Sequence, residues 1–188
     1  MAGGHDLELV ALGRTGDRAA YGELVRRHGS AVRALLRRMG ADGATADDVA
    51  QDAFLAGFEQ ISEFRGEGAF RTWISRIAAR SYARRWRREA RAELLADGTD
   101  ADDPQAGFGA GMGADARIDL DDALKTLSDP ERICVTLCYA VGLSHGEAAA
   151  ALNAPLGTVK SHVKRGLDKL RSRLSPDGDG GQRRQVGG

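Results

Sequence analysis

Residues 97 to 116 read DGTDADDPQAGFGAGMGADA, and no other stretch limits the possible folds as strongly. The segment holds five Asp, five Gly and one Pro, with no Lys or Arg. A chain of this composition buries too little apolar surface to offset the entropy of ordering itself. Two separate folding units are therefore expected, over residues 1–96 and 117–175, joined by a flexible acidic linker over 97–116. The tail PDGDGGQRRQVGG, residues 176–188, is expected to be disordered.

Each unit reads as helical. Hydrophobic residues make up 42% of the 188, enough for true cores, and they recur at spacings of three and four instead of alternating. Ala, Leu, Arg and Glu abound while aromatics are only 5%. The expected fold class is all-α, two small helical domains. No apolar run approaches the roughly 20 residues that cross a bilayer. The start MAGGHDLELVALGR lacks a basic leader before an apolar block, so no membrane insertion and a cytoplasmic location are expected.

Local signals punctuate the helices. In the first unit they predict a short helix near His5 to Leu12, a second after the N-cap Asp17 running to Met39, and a third opening on Thr45 with Asp48 as its capping-box partner. The third carries Val49, Phe54, Leu55, Phe58 and Ile61 as its apolar set, and a fourth spans Ala69 to Leu95. After the linker, Ile118 to Leu127 forms one helix. Ser128-Asp129-Pro130-Glu131 then caps another that runs to Val141. Ser144 with Glu147 caps a short helix, Asn153-Ala154-Pro155-Leu156-Gly157 makes a turn, and a last helix follows from Thr158 to Leu174. A short helix, a tight turn and a longer basic helix form the helix-turn-helix pattern.

The formal charge is zero, with 27 basic and 27 acidic residues, yet its distribution is uneven. From Asp42 to Phe64 there are six acids and no base, whereas Arg65 to Arg91 holds nine Arg against Glu67 and Glu89. Part of this charge can pair across a bundle, and the excess is the electrostatic footprint of a phosphate-binding surface. Phe70, Trp73, Tyr82 and Trp86 are threaded among these arginines. Rings beside a basic track suit unstacked bases, since duplex readers need no aromatic platform. Trp73 sits at core spacing with Phe70, Ile74 and Ile77, while Trp86, flanked by Arg84, Arg85, Arg87 and Arg88, suits a contact surface.

In the last helix Val159, Val163, Leu167, Leu170 and Leu174 form one apolar stripe, leaving Ser161, Lys164 and Arg165 outward with Lys160 and His162 beside them. These residues are placed to meet base edges in a major groove. Cys134 and Cys138, four apart on one helix, are poorly placed for a disulfide and do not complete a zinc site, so both read as small apolar residues. No phosphate loop, nucleophile elbow, ligand cluster or catalytic carboxylate pair is present, and neither catalysis, a metal nor a cofactor is expected.

The stretches DRAAYGELVRRH, DDVAQDAFLAGFEQISEFRGEGAFRTWISRIA and LSDPERICVTLCYAVGLSHGEAAAALNAPLGTVKSHVKRGLDKLR together resemble the sigma factors of bacterial RNA polymerase, in particular the small extracytoplasmic-function (ECF) group. The resemblance implies a region 2 bundle followed by a region 4 helix-turn-helix. It implies that Asp48, Val49, Gln51, Asp52 and Phe54 dock on the polymerase core, formed by the beta and beta-prime subunits. Phe64, Arg65, Phe70, Trp73, Arg76, Arg80, Arg84, Trp86 and Arg87 would then recognise and melt the promoter's −10 element. Thr158, Lys160, Ser161, His162, Lys164 and Arg165 would read the −35 element as duplex, and an anti-sigma factor is an expected partner. Relatives often carry Asn shortly after the RIA run, where this chain has Arg80 and Ser81, and Arg where it has Lys160 and His162. The competing reading is a free regulator that uses the helix-turn-helix alone.

Overall fold

The computed structural model describes residues 2–97 and 115–174, with side chains described for 5–90 and 120–173. Residues 98–114 of the expected linker and the tail lie outside the described residues. Within them the chain is helical, consistent with the all-α expectation: α1 (Ala2–Arg14), α2 (Arg18–Arg38), α3 (Gly43–Glu59), α4 (Phe70–Asp97), α5 (Asp115–Lys125), α6 (Asp129–Val135), α7 (His145–Leu152) and α8 (Leu156–Leu174).

Helix α2 starts where its cap predicts, the Asp17 carboxylate accepting from the Ala19 and Ala20 N–H groups at 2.9 and 3.0 Å. Helix α3 does not start at Thr45. Asp42 caps it instead, accepting from the Thr45 N–H at 2.7 Å, because the earlier acid takes that donor and Thr45 becomes the third helical residue. In the C-terminal half, the Ser128 and Ser144 N–H groups donate to Glu131 and Glu147, as their capping boxes predict. The helix expected to reach Val141 is α-helical only to Val135. It continues through Thr136–Ala140 as one wide π turn, closed by the Val141 N–H on the Thr136 carbonyl at 3.1 Å.

Helices α1 to α4 pack as a bundle around Leu24, Val32, Leu36, Met39, Phe70 and Ile74. Its α3 face is lined by small residues, Ala46, Ala50, Ala53 and Gly57. A Cβ at Gly57 would lie 2.7 Å from Ile74 Cδ1 and 2.8 Å from the Tyr21 hydroxyl, so the helices meet closely there. Tyr21 donates to the Phe54 carbonyl at 2.6 Å, and Phe64, Phe70 and Trp73 pack ring on ring at 5.5 to 5.8 Å.

Helix α8 crosses α6 closely, since a Cβ at Gly166 would meet Val135 Cγ2 at 2.7 Å. Val159, Val163 and Leu170 are buried as the stripe predicts; Gly166 joins them. The two halves also touch. The buried set of α2 to α4 continues without a break into Ile133, Leu137, Ala148 and Leu152, and Arg132 inserts over the turn at Gly40, whose φ is +107°. Arg38 Nε reaches Asp121 at 2.8 Å across the same junction.

Candidate nucleic-acid interface

Three surfaces carry the residues singled out by sequence. The first is the outer face of α3. Asp48, Gln51 and Asp52 are exposed there, but Val49 and Phe54 are buried at 3% and 6%. In their place Leu55, counted in the apolar set of this helix, is 59% exposed on the acidic face. The signal for this was the run of small residues: alanines and Gly57 fill the tight α3 contacts, so the bulky neighbour one position away points out.

The second surface is α4 and the loop before it. Phe64 and Phe70 are 3% and 1% exposed and form the core under the loop, so they offer no ring face to a base. Trp73 packs on both and is half-buried; Trp86 is half-buried with its body on the core. Arg65 and Arg84 are exposed. Arg76, Arg80 and Arg87, spaced four and seven apart, share one face of α4, and that face meets α7. Arg76 donates to the Gly142 carbonyl at 3.0 Å, Arg80 to Glu147 at 3.1 Å, and Arg87 to the Leu152 and Asn153 carbonyls at 2.6 and 2.7 Å. Two of these acceptors are free carbonyls at the C-terminal end of α7, where a guanidinium also meets the negative end of the helix dipole. Beside them Arg84, Arg85, Arg87 and Arg88 line a groove of about 540 Å³ together with Val49, Ala151 and Leu152.

The third surface is α8. Thr158, Lys160, Ser161, Lys164 and Arg165 are exposed, and His162 is half-buried. Ser161 Oγ donates to the Gly157 carbonyl at 2.9 Å, and Arg165 lies 3.0 Å from His162 Nδ1. Asn153, at φ 45° and ψ 48°, makes the left-handed turn that sets α8 across α7. Below, Glu131 is buried at 4% and accepts from Lys169 at 2.8 Å. Burial works to raise its carboxyl, but the bonds from Lys169 and the Ser128 N–H outweigh this and hold it below the usual glutamate value.

The model of sigma-70 region 2 matches residues 24–92, and that of sigma-70 region 4 matches residues 117–170. The chain is 31% identical to the RNA polymerase sigma factor CnrH of Cupriavidus metallidurans, over 93% of this chain and 96% of that protein. It is 34% identical to the ECF RNA polymerase sigma factor SigE of Mycolicibacterium smegmatis, over 86% of this chain and 65% of SigE. Among solved structures it is similar to the sigma factor RpoE of Bartonella quintana, crystallised with the anti-sigma factor NepR. There the identity is 25%, the coverage 84% of this chain and 98% of that one, and the TM-score 0.54. With both sigma-70 regions matched in one chain and relatives of this identity over most of its length, the chain belongs to the sigma-70 family of RNA polymerase sigma factors, in the extracytoplasmic-function group.

Proposed function

We propose that this chain initiates transcription as a dissociable subunit of RNA polymerase, recognising −10 and −35 promoter elements and performing no catalysis of its own. Residues 1–96 supply polymerase docking and −10 melting, 97–116 the linker, and 117–175 the −35 contact. The observation that carries this reading is the presence, in one chain, of both matched sigma regions with an exposed cationic face on α8.

Docking on the beta and beta-prime subunits falls to the exposed α3 face of Asp48, Gln51 and Asp52, with Leu55 as the apolar centre; Val49 and Phe54 support it from inside. Thr158, Lys160, Ser161, His162, Lys164 and Arg165 face the −35 duplex. Arg65, Arg84 and the exposed part of Trp86 meet the −10 strand, with Phe64, Phe70 and Trp73 as the rigid base beneath them. Arg76, Arg80 and Arg87 already donate to the Gly142 carbonyl, Glu147 and the Leu152 and Asn153 carbonyls, so turning these same donors onto phosphates accompanies loosening of α4 from α7 and the loop before it. An anti-sigma partner follows the precedent of RpoE with NepR, and a cytoplasmic location for this chain is part of the same reading. Among the described residues no helix is long and apolar enough to cross a membrane.

The test is transcription by purified core polymerase on a pool of random-sequence promoters, with and without this protein, reading transcript starts. Discrete starts that depend on the protein, with two shared upstream elements, are expected. No starts, together with a shift of duplex DNA by the protein alone, would overturn this reading in favour of a free helix-turn-helix regulator.

A further inference from the structure

The loop between α3 and α4 is not held by its own backbone. Among the described residues, no backbone hydrogen bond falls on Arg65 to Gly68, and Gly66 and Gly68 take φ values of +77° and +98°. Its two ends are anchored by Phe64 and Phe70, edge to face at 5.8 Å. What fixes its path comes from α1, all of which lies before the matched family region at residues 24–92.

Arg14, the last residue of α1, reaches across to the short turn at Ile61–Glu63 that ends α3. Its Nε donates to the Ile61 carbonyl at 3.3 Å and its Nη2 to the Phe64 carbonyl. The Ile61 carbonyl also accepts from the Phe64 N–H at 3.3 Å, whereas among the described residues no such bond falls on the Phe64 carbonyl, and a cation at the end of a helical turn complements the negative end of the dipole. Here the second of those carbonyls belongs to the residue from which the loop departs, so one guanidinium sets both the end of the turn and the exit direction of Arg65. The approach depends on Gly13, where a Cβ would meet Ile61 Cδ1 at 2.8 Å. Further along α1, Leu7 Cδ2 lies 3.5 Å from the position of a Cβ on Gly66. The far end of α1 is tied down by Asp6, only 8% exposed, which pairs with His28 at 2.9 Å and Arg27 at 3.2 Å.

We infer that α1 is a brace for the promoter-facing loop and that Arg14 is a positioning residue for −10 recognition, acting through the Phe64 carbonyl on the placement of Arg65. The inference rests on the reading of this loop as the segment that captures the melted strand. Arg14 is exposed, but both of its hydrogen bonds go to main-chain carbonyls of this turn, and the inference needs no contact with DNA. Its loss leaves the docking face of α3 and the −35 face of α8 intact.

The experiment uses the full chain with core polymerase and a template library randomised over the −10 element behind a fixed −35 element, comparing wild type with Arg14→Gln, Arg14→Lys and Gly13→Ala. Arg14→Gln is expected to flatten the base preference at the most selective −10 position by about tenfold, the scale of one charge-assisted hydrogen bond, with −35 preference and core binding unchanged. Arg14→Lys recovers part of it, because an ammonium satisfies one of the two carbonyls. Gly13→Ala keeps Arg14 but pushes α1 off Ile61, and flattens the same positions. This second variant decides the question should Arg14→Gln fail to fold by circular dichroism. A uniform drop in activity with the wild-type base profile in both Arg14→Gln and Gly13→Ala would overturn the inference. A wild-type protein that yields no discrete starts marks failure of the sigma reading instead.

Discussion

Arg80 and Glu147, 67 positions apart in the chain, meet at 3.1 Å where α4 lies against α7. Glu147 is also the capping-box acid of α7, accepting from the Ser144 N–H at 2.9 Å. Both side chains are 43% exposed, so the bridge should contribute only about 0.2–1 kcal/mol, and less as salt rises. A double-mutant cycle of Arg80→Gln and Glu147→Gln, read by urea unfolding, measures that coupling. Ser144→Ala separates the cap from the bridge. A coupling that did not fall with salt would mean that the contact is not electrostatic.

The same carboxyl predicts a pH response. The Ser144 N–H, then the Ser144 hydroxyl, with Arg80 and Arg76 adding, hold Glu147 below its ordinary value of 4.5. A depressed acid contributes stability above its unfolded pKa and loses it as pH falls through the lower folded value. The contribution should therefore be constant from neutral pH down to about 5 and fade below 4.5, a loss that Glu147→Gln abolishes.

Leu55 separates docking from folding. At 59% exposure its replacement by Asp should change stability by no more than about 0.5 kcal/mol. Affinity for core polymerase should fall about tenfold or more if it anchors the interface. Fluorescence titration with labelled core polymerase checks this, and unchanged affinity would place docking elsewhere.

Gly166→Ala puts a methyl 2.7 Å from Val135 Cγ2 at the crossing of α8 and α6. Overpacking of this kind costs about 1–3 kcal/mol. The melting temperature of the protein should drop and −35 binding weaken with it, while Gly157→Ala, which meets nothing within 4 Å, should leave stability unchanged or raise it by up to about 1 kcal/mol.

Burial pushes the Cys134 thiol up to about 12, with Cys138 beside it adding, and burial raises Cys138 as well. A raised pKa favours the unreactive thiol, so both should resist iodoacetamide at pH 7.5 in the native protein and react on unfolding. The half-buried Cys138 should label before Cys134 by mass spectrometry. Rapid stoichiometric labelling of the folded protein would contradict this.

The sequence by itself determined what short-range chemistry determines. Asp17, Ser128 and Ser144 mark helix starts because a cap is a contact between residues two or three apart, and the stripe of α8 follows from helical period alone. Even there competition intervened, Asp42 taking the cap from Thr45. Which face each helix buries was decided only by the partners it meets. Phe64 and Phe70, which the resemblance assigns to −10 DNA, close the core because His28 and Trp73 converge on Phe70 from another helix and the next turn, and Phe64 packs edge to face on it. Leu55 turns outward because close helix contact favours Ala and Gly over bulk, and a sequence cannot show how near the neighbouring helix will come. The arginines of α4 are legible as a basic face, but their engagement by the carbonyls and Glu147 of α7 is not. Those acceptors lie some 65 residues away and become partners only when the chain brings the two halves together.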